Sequence, residues 1–295
     1  VSQTPPVNPR LAIIFAVCAI SVSSLLVRLC SAPPLIIATY RLLFTFAAMG
    51  GVALLRFRHD FRGITRRDIL LTSSAGVFLA LHFVTWFESL RYTSVASSVV
   101  LVTTQPLFVV LASFLLFRER LSRGGGIGAL LAITGSTVIA WGDFSTGPDP
   151  FHGDMLALAA AIMVSGYLVI GRFLRRSLSL PVYTTLVYGS SSLFLLGATL
   201  LTGTPLAPYP PTDWLLFLGL ALSCTLVGHT IFNWVMAYVP ASTVSVSVLG
   251  EPVGAMLWVS LFLGEYPTLR QIVGGGVIIA GLWIFTRSQN RSGGG

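Results

Sequence analysis

One acid lies deep inside an apolar run of this chain. Glu251 stands ten residues after Ala241, in a stretch of apolar and small residues that continues to Leu263. An acid at such depth costs about 2.5–3.5 kcal/mol on the membrane-insertion scale, so it faces a cavity or a partner. It could hold a substrate ammonium, titrate with a coupling proton, or hydrogen-bond its own bundle in the protonated form. His82 and Trp86 stand four apart in another apolar run and share one helix face. His229 and Asn233 repeat that spacing in a third run. An aromatic wall with one or two hydrogen-bonding groups suits a small amphipathic ligand, and Tyr40 and Tyr167 could join it. The alternatives are a satisfied interhelical bond for each histidine and an interfacial place for each tyrosine. Arg41 lies some six residues into its own run. It could snorkel outward, pair with Glu88 as a structural or gating pair, or clamp a substrate carboxylate.

Two prolines, Pro106 and Pro252, also fall in mid-run, and Gln105 and Glu251 stand immediately before them. Proline removes one helical hydrogen bond and clashes with the carbonyl four residues back. Each is expected to kink its helix and free polar backbone, either for substrate or for a neighbouring helix.

The elements that must position these groups are the apolar runs themselves. Hydrophobic residues make up 54% of the 295 and charged residues 9%, with a mean hydropathy of +0.84. Soluble domains carry about 25% charged residues, and a membrane-spanning helix needs about 20 apolar ones. Ten such runs cover roughly 11–31, 35–55, 69–91, 95–117, 125–142, 153–173, 183–202, 213–238, 241–263 and 269–287. They are continuous rather than alternating, which predicts helices and excludes a β-barrel. The expected fold is an all-α membrane protein.

A stretch that occurs twice orders the ten. Sliding the sequence by 146 residues lays Tyr92 on Tyr238, Pro106 on Pro252, Glu119 on Glu265, Gly128 on Gly274 and Gly135 on Gly281. Ten of the 44 positions from 92 to 135 match without a gap, and the rare Pro, Glu and Tyr are among them. This predicts two five-helix repeats, residues 1–147 and 148–295, within one membrane domain. An odd number of spans per half inverts the second half, which places substrate near the midplane between them. Gln105 is then the counterpart of Glu251. Glu119 and Glu265 close their spans at opposite faces, as anchors or gates. The dense glycines around 124–128, 135, 274–276 and 281 predict close packing of the fifth and tenth spans.

Charge sets the orientation. The net charge of +8 comes from arginine alone, in short loops between apolar runs, which excludes a nucleic-acid face. With both termini in the cytoplasm, 14 arginines lie inside and 3 outside, Arg41 lying within a span. The first run is read as a retained helix, not a signal peptide. Cys18, Cys30 and Cys224 are odd in number and lack metal-ligand spacing, so free thiols and no metal site are expected. No paired carboxylates, HExxH, GxSxG or phosphate-loop Lys–Ser/Thr occurs in a plausible setting. The reading is therefore neither an enzyme nor a nucleotide-driven pump, and no cofactor is expected.

Tyr92-Thr-Ser opening span four, Pro106 in mid-span and Glu119 closing it form one half of a pattern. Tyr238-Val-Pro-Ala, Glu251-Pro252 and Gly264-Glu265 form the other. Together they resemble the EamA-type exporters of the drug/metabolite transporter superfamily over nearly the whole chain. Within that family the chain is most similar to bacterial aromatic and neutral amino acid exporters. The resemblance implies a secondary transporter of the bacterial inner membrane that exports amino acids by alternating access of two half-bundles. Efflux of drugs or other small metabolites through the same cavity is the alternative. The partners implied are a small-molecule substrate and the lipid bilayer, and a monomer would suffice.

Overall fold

The structure is a computed structural model and describes residues 5–118, 121–140, 147–263 and 268–292. Helices account for nearly all of it. They are numbered here by the spans they form. The first three are α1 (Pro9–Leu29, interrupted at Ser21–Val22), α2 (Pro34–Arg56) and α3 (Arg66–Tyr92). Next come α4 (Val95–Val102 and Gln105–Phe117), α5 (Arg123–Ala140), α6 (Pro150–Leu174) and α7 (Leu180–Leu201). The last are α8 (Pro211–Val235), α9 (Ala241–Val248 and Glu251–Leu263) and α10 (Leu269–Ser292). Among the described residues nine spans are long and apolar enough to cross a membrane, where ten were expected. The other expected span, 125–142, is helical over Arg123–Ala140, and residues 141–142 lie outside the described residues. Glu119 and Glu265 also lie outside them.

Local chemistry fixes where the helices begin. Proline occupies the first turn of α1, α2, α6, α7 and α8, where its missing N–H costs nothing. Thr65 and Asp68 form a reciprocal capping box at the start of α3. The Asp149 carboxylate accepts from the His152 N–H at the start of α6.

The prolines do more than kink. In α4 the helix stops at Val102 and restarts at Gln105, with Pro106 in its first turn. In α9 it stops at Val248 and restarts at Glu251, with Pro252 next. Both spans are therefore pairs of half-helices, and the expected kinks are breaks. Gln105 and Glu251 do not cap the freed carbonyls. The Thr103 and Thr104 hydroxyls donate to Val100 and Leu101 at 3.0 and 2.6 Å. In α9 the turn tightens, with Leu249 and Gly250 N–H bonding the carbonyls three residues back.

The fifth and tenth spans meet as the glycines predict. A methyl group added at Gly128 would lie 2.6 Å from the Gly281 carbonyl oxygen, and one at Gly281 would lie 2.6 Å from that of Gly128. Gly135 and Gly274 form the same reciprocal pair at 2.6 Å. The two helices run antiparallel with backbones in near contact, which only glycine permits. The reciprocity is local two-fold symmetry between two halves. Leu55, Leu111, Leu201 and Leu261 point outward from the bundle, as a lipid-facing surface requires.

Candidate functional site

The two half-helix pairs meet at the centre, where the second half of each packs on the first half of the other. Next to their breaks lies a cavity of about 40 Å³. That is room for roughly three water molecules. Arg41, His82, Trp86, Gln105, His229 and Glu251 all line it, with Ser23, Thr103 and Phe232. Six residues singled out in the sequence are thus brought together from α2, α3, α4, α8 and α9.

Arg41 is held from three sides. Its Nε donates to Thr225 Oγ1 at 2.7 Å and its Nη1 to Ser23 Oγ at 3.0 Å. Its guanidinium carbon lies 4.0 Å from the centre of the Phe83 ring. Hydrogen bonds to a charged group contribute about 1.5–3 kcal/mol each and a desolvated cation–π contact about 2 kcal/mol. Together they offset the cost of insertion at this depth. Arg41 neither snorkels nor pairs with Glu88, because it turns inward to the hydroxyls of α1 and α8. Glu88 instead accepts from Arg91, one turn on in the same helix, at 3.5 Å.

Glu251 faces the same cavity from the first residue of its half-helix. The N-terminal end of a helix stabilises negative charge. Among the described residues no hydrogen bond reaches its carboxylate, and Arg41 makes no ion pair with it. Arg41 and the Glu251 carboxyl therefore face one small space with no ion pair between them.

The aromatic wall runs along α3. The His82 and Trp86 rings stack with centroids 5.9 Å apart and planes 19° from parallel. His82 Nδ1 lies 3.0 Å from the Ala160 carbonyl oxygen. A carbonyl only accepts, so Nδ1 carries the hydrogen. The Trp86 indole N–H is buried and has no hydrogen-bond partner among the described residues. An orphaned donor on a cavity wall is a place for a ligand acceptor. His229 adds a T-shaped contact to Phe83 at 5.4 Å.

Tyr40, Tyr167 and Asn233 lie elsewhere. Tyr167 Oη donates to Asn233 Oδ1 at 2.7 Å, and Asn233 Nδ2 donates to Tyr188 Oη at 3.2 Å. All three are buried in a polar layer beside the cavity. The four-residue spacing does keep His229 and Asn233 on one side of α8, since both meet Tyr167, His229 through its ring at 6.2 Å and Asn233 through its amide oxygen. Only His229 lines the cavity, and Asn233 lies one helical turn beyond it. Tyr40 belongs to the far end of the bundle. Its hydroxyl donates to the Leu206 carbonyl at 2.7 Å, and its ring packs on Trp214 and Phe217. Ser23, Thr225 and Phe83, which hold Arg41, carried no sequence signal, since hydroxyls and phenylalanines recur throughout the chain.

Below the Tyr167 layer, at the arginine-rich end, Arg175 Nε donates to the Asn233 carbonyl at 2.9 Å and its Nη1 to that of Leu178. Arg172 donates to the Met236 carbonyl at 2.7 Å. Burial lowers the Arg175 pKa to about 10, so it stays charged at neutral pH. These arginines cap the end of α8 and fasten it to α6.

Comparison with known proteins agrees with this architecture. The EamA-like transporter family matches residues 10–141 and 151–287, one copy in each half. An uncharacterized transporter, YetK of Bacillus subtilis, is 27% identical over 76% of this chain and 70% of its own length. A probable amino-acid metabolite efflux pump of Salmonella typhimurium is 28% identical, over 85% of each chain. One solved crystal structure shares the fold with a TM-score of 0.78 at 20% identity, covering 96% of this chain and 98% of its own. Two matched halves, a cavity between their broken helices and a lipid-facing exterior have one common explanation: the chain is a multi-pass membrane transporter, not an enzyme, and belongs to the EamA-like transporter family.

Proposed function

We propose that this transporter exports amino acids, neutral and aromatic ones among them, from the cytoplasm. The observation that carries this reading is the arrangement of Arg41 and Glu251 around one cavity. A zwitterion needs a cation for its carboxylate and an anion for its ammonium. Here both groups line a single space, make no close ion pair with each other, and flank an aromatic wall with an open indole donor. Arg41, Glu251, Trp86, His82, Gln105 and His229 form the binding site. The breaks at Pro106 and Pro252 give it its shape, and Tyr167 and Asn233 support it. The arginine distribution supports cytoplasmic termini, and the likeness to bacterial amino acid exporters supports the inner membrane. The cavity is too small for an amino acid, so this conformation is closed and binding requires the half-bundles to part.

Counterflow of radiolabelled amino acids into proteoliposomes preloaded with the unlabelled compound tests the proposal. Uptake is expected in the wild type and lost in Trp86→Ala. No uptake from intact, oriented protein across the common amino acids would overturn the cargo and turn attention to drug or metabolite efflux.

A further inference from the structure

A second cavity opens at the end of the bundle opposite the arginine-rich one. It has a volume of about 290 Å³ and lies among the α1–α2 loop, the end of α3 and the start of α4. Its walls hold two arginines, Arg28 and Arg91, facing an apolar surface of Ile37, Phe87 and Leu90. Arg28 makes no hydrogen bond or ion pair among the described residues. Arg91 spends one nitrogen on Glu88 at 3.5 Å, and both of those side chains remain partly exposed. The Asp213 carboxylate, the other acid nearby, accepts from the Ser31 N–H at 3.2 Å and the Ser31 hydroxyl at 2.7 Å. Those two bonds fix the loop that carries Cys30 and Ser31 and so keep the wall in place.

The two cavities are stacked along the same helices. Ser23 lines the central cavity and Val27 the vestibule, four residues on in α1. Arg41 and Ile37 are related in the same way in α2, and Trp86 and Leu90 in α3. Four residues rise about 6 Å, so the vestibule begins one helical turn beyond the central site. A single layer of side chains separates them. Phe87 belongs to that layer. Its ring packs on Trp86 at 5.3 Å on one side, and it lines the vestibule on the other.

We propose that this vestibule is a second binding site, for solutes that join a carboxylate to an apolar body. Arg28 and Arg91 hold the carboxylate, and Phe87 and Leu90 take the apolar part. On the export reading it is the station a solute reaches after passing Phe87. That role rests on the export reading, whereas the ligand chemistry follows from the vestibule's own residues.

Cys30 lines the vestibule and serves as a native reporter. Burial pushes its thiol up to about 12, so it reacts slowly and any protection is easily timed. The experiment follows modification of Cys30 by a membrane-impermeant maleimide, read by mass spectrometry, in vesicles of phosphatidylcholine. External L-phenylalanine is titrated into the millimolar range, with phenylalaninamide as the probe that lacks a carboxylate. Saturable slowing by phenylalanine is expected, about fourfold when the solute reaches about three times its dissociation constant. Phenylalaninamide leaves the rate unchanged. The double variant Arg28→Gln/Arg91→Gln loses protection, and Arg28→Lys/Arg91→Lys recovers part of it. Equal slowing by the amide, or none by phenylalanine, would overturn the site. Slowing produced by adding phosphatidylglycerol without solute would assign the arginines to lipid headgroups instead. Carboxylate-dependent protection in vesicles that show no amino acid flux would sustain the vestibule while overturning the export reading.

Discussion

At the scale of single residues, the export reading turns on two groups, Arg41 and Glu251, that share a cavity without an ion pair. Arg41 is anchored by Ser23, Thr225 and Phe83, so its guanidinium is fixed before any ligand arrives. The Glu251 carboxyl has no such anchor among the described residues, and on the export reading it takes the ammonium. Replacing it by Gln keeps the shape and removes the charge. A charge-assisted hydrogen bond is worth about 1.5–3 kcal/mol, so apparent affinity for amino acids should fall roughly 10- to 100-fold in Glu251→Gln. Hydroxy acids, which lack the ammonium, should be affected much less. Counterflow with matched pairs of amino and hydroxy acids measures that ratio, and an equal loss for both would assign Glu251 a structural role. Residue type alone exposed Glu251, Arg41, His82 and Trp86, because polar groups are rare at such depth. It could not reveal the partners of Arg41. Thr225 is 184 residues away, and nothing in a lone threonine marks it as an acceptor. The Glu88 pairing failed for the same reason: proximity between runs is set by packing, not by composition.

At the scale of elements, the apolar runs predicted the helices closely, and proline predicted where two of them are interrupted. Proline deletes a hydrogen bond but does not say how far the helix opens. At both breaks the last turn of the first half-helix closes on itself, through the Thr103 and Thr104 hydroxyls in α4 and the Leu249 and Gly250 N–H groups in α9. The π-helical stretch of α8 had no sequence mark, and neither did the depth of the cavity, which reaches His229 but not Asn233 one turn further on. The glycines were more legible. Their density predicted contact between α5 and α10, though not the crossed pairing of Gly128 with Gly281 and Gly135 with Gly274. Because each pair sets backbone against backbone, the contact cannot relax by moving a side chain. Gly128→Val should therefore destabilise the bundle by about 1–3 kcal/mol, the usual cost of overpacking. Its thermal transition in detergent should fall by several degrees. Gly126→Val, at a position where an added methyl group meets nothing within 4 Å, is the control and should melt like the wild type.

At the scale of the whole molecule, the two routes out of the central cavity are sealed unequally. Toward the vestibule, one helical turn away, stands Phe87 with Ile37 and Leu90. Toward the arginine-rich end lies the Tyr167–Asn233–Tyr188 layer, and beyond it the arginine caps that bind α6 to α8. Apolar contacts release without leaving buried polar groups unpaired, whereas opening the polar side would strand several donors and acceptors unless water replaced them. The closed form should therefore open more readily toward the vestibule. A cysteine at Val102, on the cavity wall, reports this directly. In an otherwise native chain Val102→Cys should react slowly with a charged maleimide from either side of the membrane. Phe87→Ala thins the single layer and should speed the reaction several-fold from the vestibule side alone. Arg175→Gln removes the donor to the Asn233 and Leu178 carbonyls and should speed it from the arginine-rich side alone. If Phe87→Ala instead admitted reagent only from the arginine-rich side, the barrier would be misplaced and the vestibule would not lie on the solute's route. With the expected pattern, each variant favours one of the two open forms that alternating access requires, and the half-bundles act as rigid bodies hinged around a fixed pair of charges.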